Sequence, residues 1–408
     1  MKKLMLILAA LAVSTSVVLT GCGKDQTEEK KPAEENAQEQ TAEENAEGEN
    51  SEDANAEKSE TVALEGTVAE FNAYLVDTLA KYIDAKDIDK EAVANIGEFD
   101  ISVAAERYAV MMGESYKKYY GLSEEEVDEL IQNIYTENAS LIYFAHKNGV
   151  SLTEEEIKAT ADATISNLEA DYGDTLDEVL ATSPYTKHYY ALYALYSSLY
   201  NKLSEKMLTD AESDFIKEAR TEALDFYSQE ENILLRAKHI LVKFPENEDG
   251  SEVTEEQKAE TLKKANEVLA EVNAMTDISE FDALIEKYNE DPGMQSNPHG
   301  YYFSKGQMVA SFETTTLELE EGKTSDPVES PYGYHIILKL PIDDEHFVET
   351  DAFKSFASDK LMESILAETK DMEIEYTDAY EAKVADFKAE FAATLEETAE
   401  ETTEEAAE

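Results

Sequence analysis

The chain has 408 residues and a formal net charge of −58 at pH 7, from 92 acidic against 34 basic side chains. That balance argues against nucleic acid as a partner, because phosphate binding needs basic clusters, and it disfavours electrostatic docking on anionic lipid. Cys22 is the single cysteine, so no intramolecular disulfide can form and the fold must stand on its core.

Residues 1–21 begin Met-Lys-Lys, run apolar from Leu4 to Leu19 and finish Thr20-Gly21, the pattern of a secretory signal. The apolar run is too short and too quickly interrupted for a confident membrane-spanning helix. Leu19-Thr20-Gly21-Cys22 resembles the lipobox of bacterial lipoproteins. The resemblance implies cleavage before Cys22, a lipid on its sulfur, and a place on the extracytoplasmic face of a bacterial cell membrane of Gram-positive type. The alternative is an ordinary signal beside an incidental cysteine. Residues 22–60 hold no aromatic residue and no Val, Leu or Ile, so they cannot bury enough apolar area to offset ordering. As a disordered acidic tether they would span about 35 Å, more with self-repulsion.

Residues 61–230 read as helical, with Pro184 the only proline. Ser123-x-x-Glu126 and Thr153-x-x-Glu156 are capping boxes. Leu130, Ile134, Ala139, Leu141, Ile142 and Ala145 have helical spacing, and Asn148-Gly149 stops that helix. Further helices are expected over 153–172, 176–182 and from about 185 to 206 or beyond. The last carries Tyr185, Tyr189, Tyr193, Tyr196 and Tyr200 on one face. Packing between helices is the plainer use of these rings; a surface for unfolded chains built from a subset is the other.

Residues 231–340 change character. An apolar strand is expected at 233–243, a helix over 255–273 capped by Thr254-x-x-Gln257, and a shorter one to Tyr288 behind Ser279-x-x-Asp282. A strand near 300–303, a helix over 309–317 and strands near 325–329 and 334–340 complete an α+β domain, helices on a four-stranded antiparallel sheet. Residues 341–384 hold Phe353, Phe356, Leu361, Ile365 and Leu366 at helical spacing. Such a helix is not stable alone and should fold back on residues 61–230, so that truncation after Pro341 spares the domain 231–340. Residues 385–408 read as a disordered acidic tail.

Four motifs stand in order within 231–340: Arg236-Ala-Lys-His239-Ile-Leu-Val, Tyr288-Asn-Glu-Asp291, Lys305-Gly-Gln307-Met308-Val-x-x-Phe312, and Ser330-Pro-Tyr-Gly-Tyr-His335-Ile-Ile. Together they resemble the parvulin family of peptidyl-prolyl cis/trans isomerases, over about a quarter of the chain. The helical series before them is similar to the chaperone region of PrsA-like foldase lipoproteins, in which the segment after the isomerase domain returns to those helices. The resemblance thus implies a parvulin domain inserted in an all-α chaperone domain.

The resemblance also implies roles. His239, Asp291, His335 and Ser330 would form the catalytic network. Met308 and Phe312 would line the proline-ring pocket, with Phe303 at its edge and Gln307 beside it. Read from residue type alone, the two histidines are equally a pair satisfying each other in the core, Asp291 a loop acid before Pro292, and Ser330 a turn serine. His299 falls in a loop where strand alignment is uncertain by a residue. Glu246, Glu248, Asp249, Glu252, Glu255 and Glu256 occupy the first loop, where phosphate-specific parvulins are basic, so no phosphate dependence is expected.

The expected activity is prolyl isomerisation with chaperoning of secreted polypeptides that contain X–Pro bonds, on a membrane to which Cys22 holds the chain. No metal or cofactor is expected, and a homodimer stays open. A catalytically weak holdase that uses the parvulin fold only for binding is the second reading. A solute-binding lipoprotein would need strand–helix alternation that residues 61–230 lack.

Overall fold

The computed structural model describes residues 64–83, 90–182, 185–247, 250–342 and 345–405. The expected signal 1–21, the lipidation site Cys22, the tether 22–60, Pro184 and the acids Glu248 and Asp249 lie outside them. No helix among the described residues is long and apolar enough to cross a membrane. The chain divides into two compact units, one reaching to Leu203 and resuming at Leu366, the other Ser204–Ile365.

The first unit is built mainly from capped helices. Helix α1 (Val68–Leu79) starts in a capping box of Thr67 and Glu70. Strands β1 (Ala92–Ile96) and β2 (Phe99–Ser102) follow, then α2 (Val103–Tyr120), stopped by Gly121 in the left-handed conformation. Helices α3 (Glu124–Lys147) and α4 (Glu154–Tyr172) begin in the capping boxes read from Ser123 and Thr153. Helices α5 (Leu176–Thr182) and α6 (Lys187–Thr209) complete the series. In α3 the buried line is Val127, Ile131, Tyr135, Ala139 and Ile142; Leu130 and Ile134 are only half-buried. In α6 the buried spine is Ala191, Leu195, Leu199 and Leu203, with the tyrosines half-buried beside it. Tyr189 stacks on Tyr108 of α2 at 3.6 Å between centroids, the packing use of that face.

Two features of this unit depart from the expectation. It also carries a three-stranded sheet, in the order β2–β1–β7, whose last strand is β7 (Ile374–Tyr376). Such short strands leave little periodicity in a sequence, and β7 pairs with a partner some 280 residues away. Residues 385–408, expected to be disordered, fall largely within helix α13 (Tyr380–Glu405), which packs along α2. Phe387 and Phe391, one turn apart, are buried there, and Arg107 Nε meets Glu390 at 3.1 Å. The acidic composition hid an amphipathic helical pattern that needed a partner to become stable.

The second unit begins earlier than residue 231. Its elements are α7 (Asp214–Ser228), β3 (Leu234–Lys243), α8 (Glu255–Val272), α9 (Glu280–Tyr288), α10 (Gly293–Ser296), β4 (Tyr301–Ser304), α11 (Ala310–Glu318), β5 (Val328–Ser330), β6 (Gly333–Leu340) and α12 (Asp351–Leu366). Thr254 and Gln257 form the expected capping box, whereas Ser279 makes no capping bond. The antiparallel sheet has the order β4–β3–β6–β5. Strand alternation sorts its side chains. Ile240, Val242, Tyr334, Ile336 and Leu338 face α8 and α9 through Ala265, Val268, Val272 and Phe281. Leu235, Ala237 and Ile337 face the opposite side with Phe303 and Phe312.

Helix α12 packs within this unit: Phe353 and Ala357 share a core with Ile216, Ala219 and Ala223 of α7, with Leu234 of β3, and with Phe347. Tyr302 of β4 lies against the same core. Truncation after Pro341 would therefore uncover the sheet rather than spare it. Phe353, 2% exposed, is expected to contribute about 3–5 kcal/mol. Denaturant unfolding of Phe353→Ala, followed by hydrogen exchange of β3, should show that loss in the second unit; unchanged protection would contradict this packing.

Candidate active site

The register of β3 against β6 builds the site. His239 is opposite Ile337 and His335 opposite Leu241, so the two histidines are diagonal neighbours on one face. Their Nδ1 atoms approach to 2.8 Å with rings 11° from parallel. Gly333 permits this register: a Cβ there would stand 2.2 Å from the Val242 carbonyl oxygen.

Asp291 reaches His239 because β4 pairs with β3 only from Leu234 to Ala237. Beyond that point the 289–290 loop takes over the vacant edge. Leu241 N–H donates to Asn289 Oδ1 at 2.8 Å, Glu290 N–H to the Leu241 carbonyl at 3.0 Å, and Lys243 N–H to the Glu290 carboxylate at 2.6 Å. The next residue then places its carboxylate 2.8 Å from His239 Nε2. At the other end, Ser330 Oγ lies 2.8 Å from His335 Nε2 and receives the Tyr332 N–H at 3.1 Å.

Proton placement follows from counting donors. Asp291, when ionised, only accepts, so His239 Nε2 carries a proton. A neutral His239 then accepts at Nδ1 from His335 Nδ1–H, and His335 Nε2 at 2.8 Å accepts from the Ser330 hydroxyl in preference to the Gly333 carbonyl at 3.2 Å. The chain runs Ser330 to His335 to His239 to Asp291 with both rings neutral. The energetics agree. Burial, then the neighbouring His239, pushes His335 down to about 4. Burial also lowers His239, against the pull of Asp291. Burial alone would raise Asp291, but hydrogen bonds from His239, the Gly293 N–H and Tyr301 outweigh it and hold the carboxyl below its ordinary value.

Phe312 stands edge-on to both rings, at 5.3 Å from His239 and 5.5 Å from His335. Phe303 packs beneath it at 5.8 Å, and Met308 and Val309 join the same cluster. Gln307 is exposed, and its side-chain oxygen accepts the Ser304 N–H at 2.7 Å, a turn contact. His299 stands apart in a loop, stacked on His346. Next to Ser330 opens a cleft of about 780 Å³, lined by Phe244, Glu252, Val253, Lys258, Val309 to Ser311, Glu329, Ser330 and Pro331. Lys258 is bound there to Glu329 at 2.8 Å. No group of three or more metal-ligating side chains occurs among the described residues. The sequence reading missed Tyr301, whose hydroxyl donates to Asp291 Oδ2 at 2.9 Å. Its place two residues before Phe303 was visible, but its partner was not.

A sheet of this order with paired histidines under a phenylalanine defines a parvulin-type domain, and residues 239–340 match the PPIC-type PPIase (rotamase) family. Over part of its length the chain is also similar to PrsA foldases. It is 35% identical over 130 residues to foldase protein PrsA of Geobacillus kaustophilus, covering 32% of this chain and 39% of that protein. To foldase protein PrsA 1 of Bacillus cereus it is 30% identical over 171 residues, 38% and 53% of the two chains. The chain thus spans about half the length of these relatives or less. The crystal structure of PrsA from Bacillus subtilis shares 21% identity over 69% of this chain and 93% of that one, with a TM-score of 0.24.

The buried histidines make a prediction about pH. His335 titrates near 6.5 when unfolded and about 4 when folded, so between those values the unfolded state binds more protons. Stability of the second unit should fall as pH drops through that window, by up to roughly 3 kcal/mol, with Asp291 adding to the loss at lower pH. Hydrogen exchange of β3 and β6, corrected for intrinsic rates, measures it; a flat profile from pH 7 to 4.5 would contradict the buried neutral pair.

Proposed function

We propose that the chain is a peptidyl-prolyl cis/trans isomerase and chaperone that assists the folding of secreted proteins at the extracytoplasmic face of a membrane. The observation that carries this reading is the unbroken Ser330–His335–His239–Asp291 chain beneath Phe312. Rotation about an X–Pro bond breaks no covalent bond but meets a barrier of about 18–20 kcal/mol from amide resonance. The apolar side chains of Phe312 and Met308, backed by Phe303, take the proline ring and exclude water, which weakens the charge-separated resonance form. Two neutral histidines, locked by hydrogen bonds at both ends, give the twisted amide a rigid wall without a full charge. Each ~1.4 kcal/mol by which that surface prefers the twisted amide yields tenfold in rate.

Substrates are proposed to need no phosphate. Of the charged side chains on the cleft, Glu252 and Glu329 are acidic and the lone cation Lys258 is already committed to Glu329. A phosphoserine before proline would meet net repulsion. A second reading, a holdase with weak isomerase activity, draws on the burial of Phe312, which is only 3% exposed and must be uncovered for a proline ring to enter. Isomerisation rates on Ala-Pro and phosphoserine-Pro peptides separate these readings. Turnover of Ala-Pro at least tenfold faster is expected; no turnover of either leaves the holdase, and a preference for phosphate removes the specificity proposed.

Anchoring is proposed through a lipid on Cys22. Cell fractionation of Cys22→Ser should shift most of the protein from the membrane to the soluble fraction; equal membrane association in mutant and wild type would end that part of the proposal.

A further inference from the structure

Tyr301 sits opposite Ala237 in the β3–β4 register and therefore shares the sheet face of His239. Its hydroxyl reaches Asp291 Oδ2 at 2.9 Å, the same oxygen that receives His239 Nε2–H at 2.8 Å. Its ring stands edge-on to the His239 ring, 5.8 Å between centroids. The approach depends on Gly293: a Cβ on that residue would lie 2.0 Å from the Tyr301 oxygen. The Gly293 N–H in turn donates to Asp291 Oδ1 at 3.1 Å. Each carboxylate oxygen of Asp291 is thus held by at least one donor, with Tyr301 and His239 sharing one of them.

We infer that Tyr301 is a positioning residue of the isomerase site. By sharing Oδ2 with His239 it keeps the Asp291 carboxylate ionised and aimed at Nε2, which fixes the proton of His239 on that nitrogen and sets the direction of the whole donor chain. Tyr301 gives its proton to this bond and does not ionise, because burial and then the adjacent carboxylate raise its ionisation well above the usual tyrosine range, against a hydrogen bond from Asn297 that lowers it. The titratable groups acting on Asp291 are His239 of β3 and Tyr301 of β4, with His335 of β6 one ring further along. The inference rests on the isomerase reading for its consequence in rate, and on geometry alone for its consequence in proton placement.

The full chain carrying Tyr301→Phe, Gly293→Ala, or both provides the test. Tyr301→Phe removes one oxygen; Gly293→Ala displaces the hydroxyl while leaving the ring. In either variant the acid limb of the pH–rate profile on an Ala-Pro peptide should move up by about one pH unit, in kcat more than in KM. The double variant should move no further than Tyr301→Phe, since both remove the same bond. The ¹⁵N shifts of the His239 ring should show the Nε2 proton becoming partly redistributed at neutral pH. An unmoved acid limb with unmoved ¹⁵N shifts in a folded variant overturns the inference, as does a fully additive double variant. If the wild-type chain isomerises no peptide, the isomerase reading fails by itself, and the ¹⁵N shifts still decide the role of Tyr301. Should Tyr301→Phe not fold, Gly293→Ala carries the same comparison.

Discussion

The antiparallel register between β3 and β6 is the constraint on which the second unit depends. It places His239 and His335 diagonally on one face and the apolar partners Ile240 and Ile336 on the other. A slip of one residue would exchange the faces, setting the histidines against α8 and α9 and the aliphatic set against Phe303 and Phe312. Gly333 guards the register at its end, because any side chain there would strike the Val242 carbonyl. The short pairing of β4 with β3 matters for a related reason. Because it stops at Ala237, the free edge of β3 recruits the 289–290 loop, and Asp291 arrives as a consequence of satisfying backbone donors and acceptors.

Burial and hydrogen bonding then act in concert. Removing water lowers both histidines, and the network gives each ring nitrogen a partner, so neutrality costs no unsatisfied group. The first unit contains the opposite case. Glu106 of α2 is fully buried, receives the Tyr135 hydroxyl, and is raised to about 7 by burial, with Tyr135 and Tyr380 pulling the other way. Its contribution is present below the unfolded value of 4.5 and is lost as pH rises through about 7, whereas that of His335 is lost as pH falls. The two units therefore have opposed acid–base demands between about pH 4 and about pH 7.

The extreme acidity has two distinct uses. On most of the surface it is solvation. At helix starts it becomes structural: Glu70, Glu126 and Glu156 each return a hydrogen bond to the N-cap backbone, at 2.8, 2.8 and 2.7 Å. In the first part of α13, a segment with the composition of a solvated tail buries Phe387 and Phe391.

What the sequence determined by itself is local or carried by ordered motifs. Capping boxes at Ser123, Thr153 and Thr254 set helix starts that coincide with the structure, because a cap involves residues three apart. The motifs around His239, Asp291, Met308, Phe312 and His335 resemble those of parvulins, and that resemblance implied a shared site. Tertiary structure alone decided the rest. The strand β7 joins β1 across most of the chain, α12 packs on β3 as well as on α7, and Tyr301 meets Asp291 only once β4 and the 289–291 loop lie on the same edge of β3. Each of these depends on a partner distant in sequence, and neither helical nor strand periodicity carries the identity of a partner.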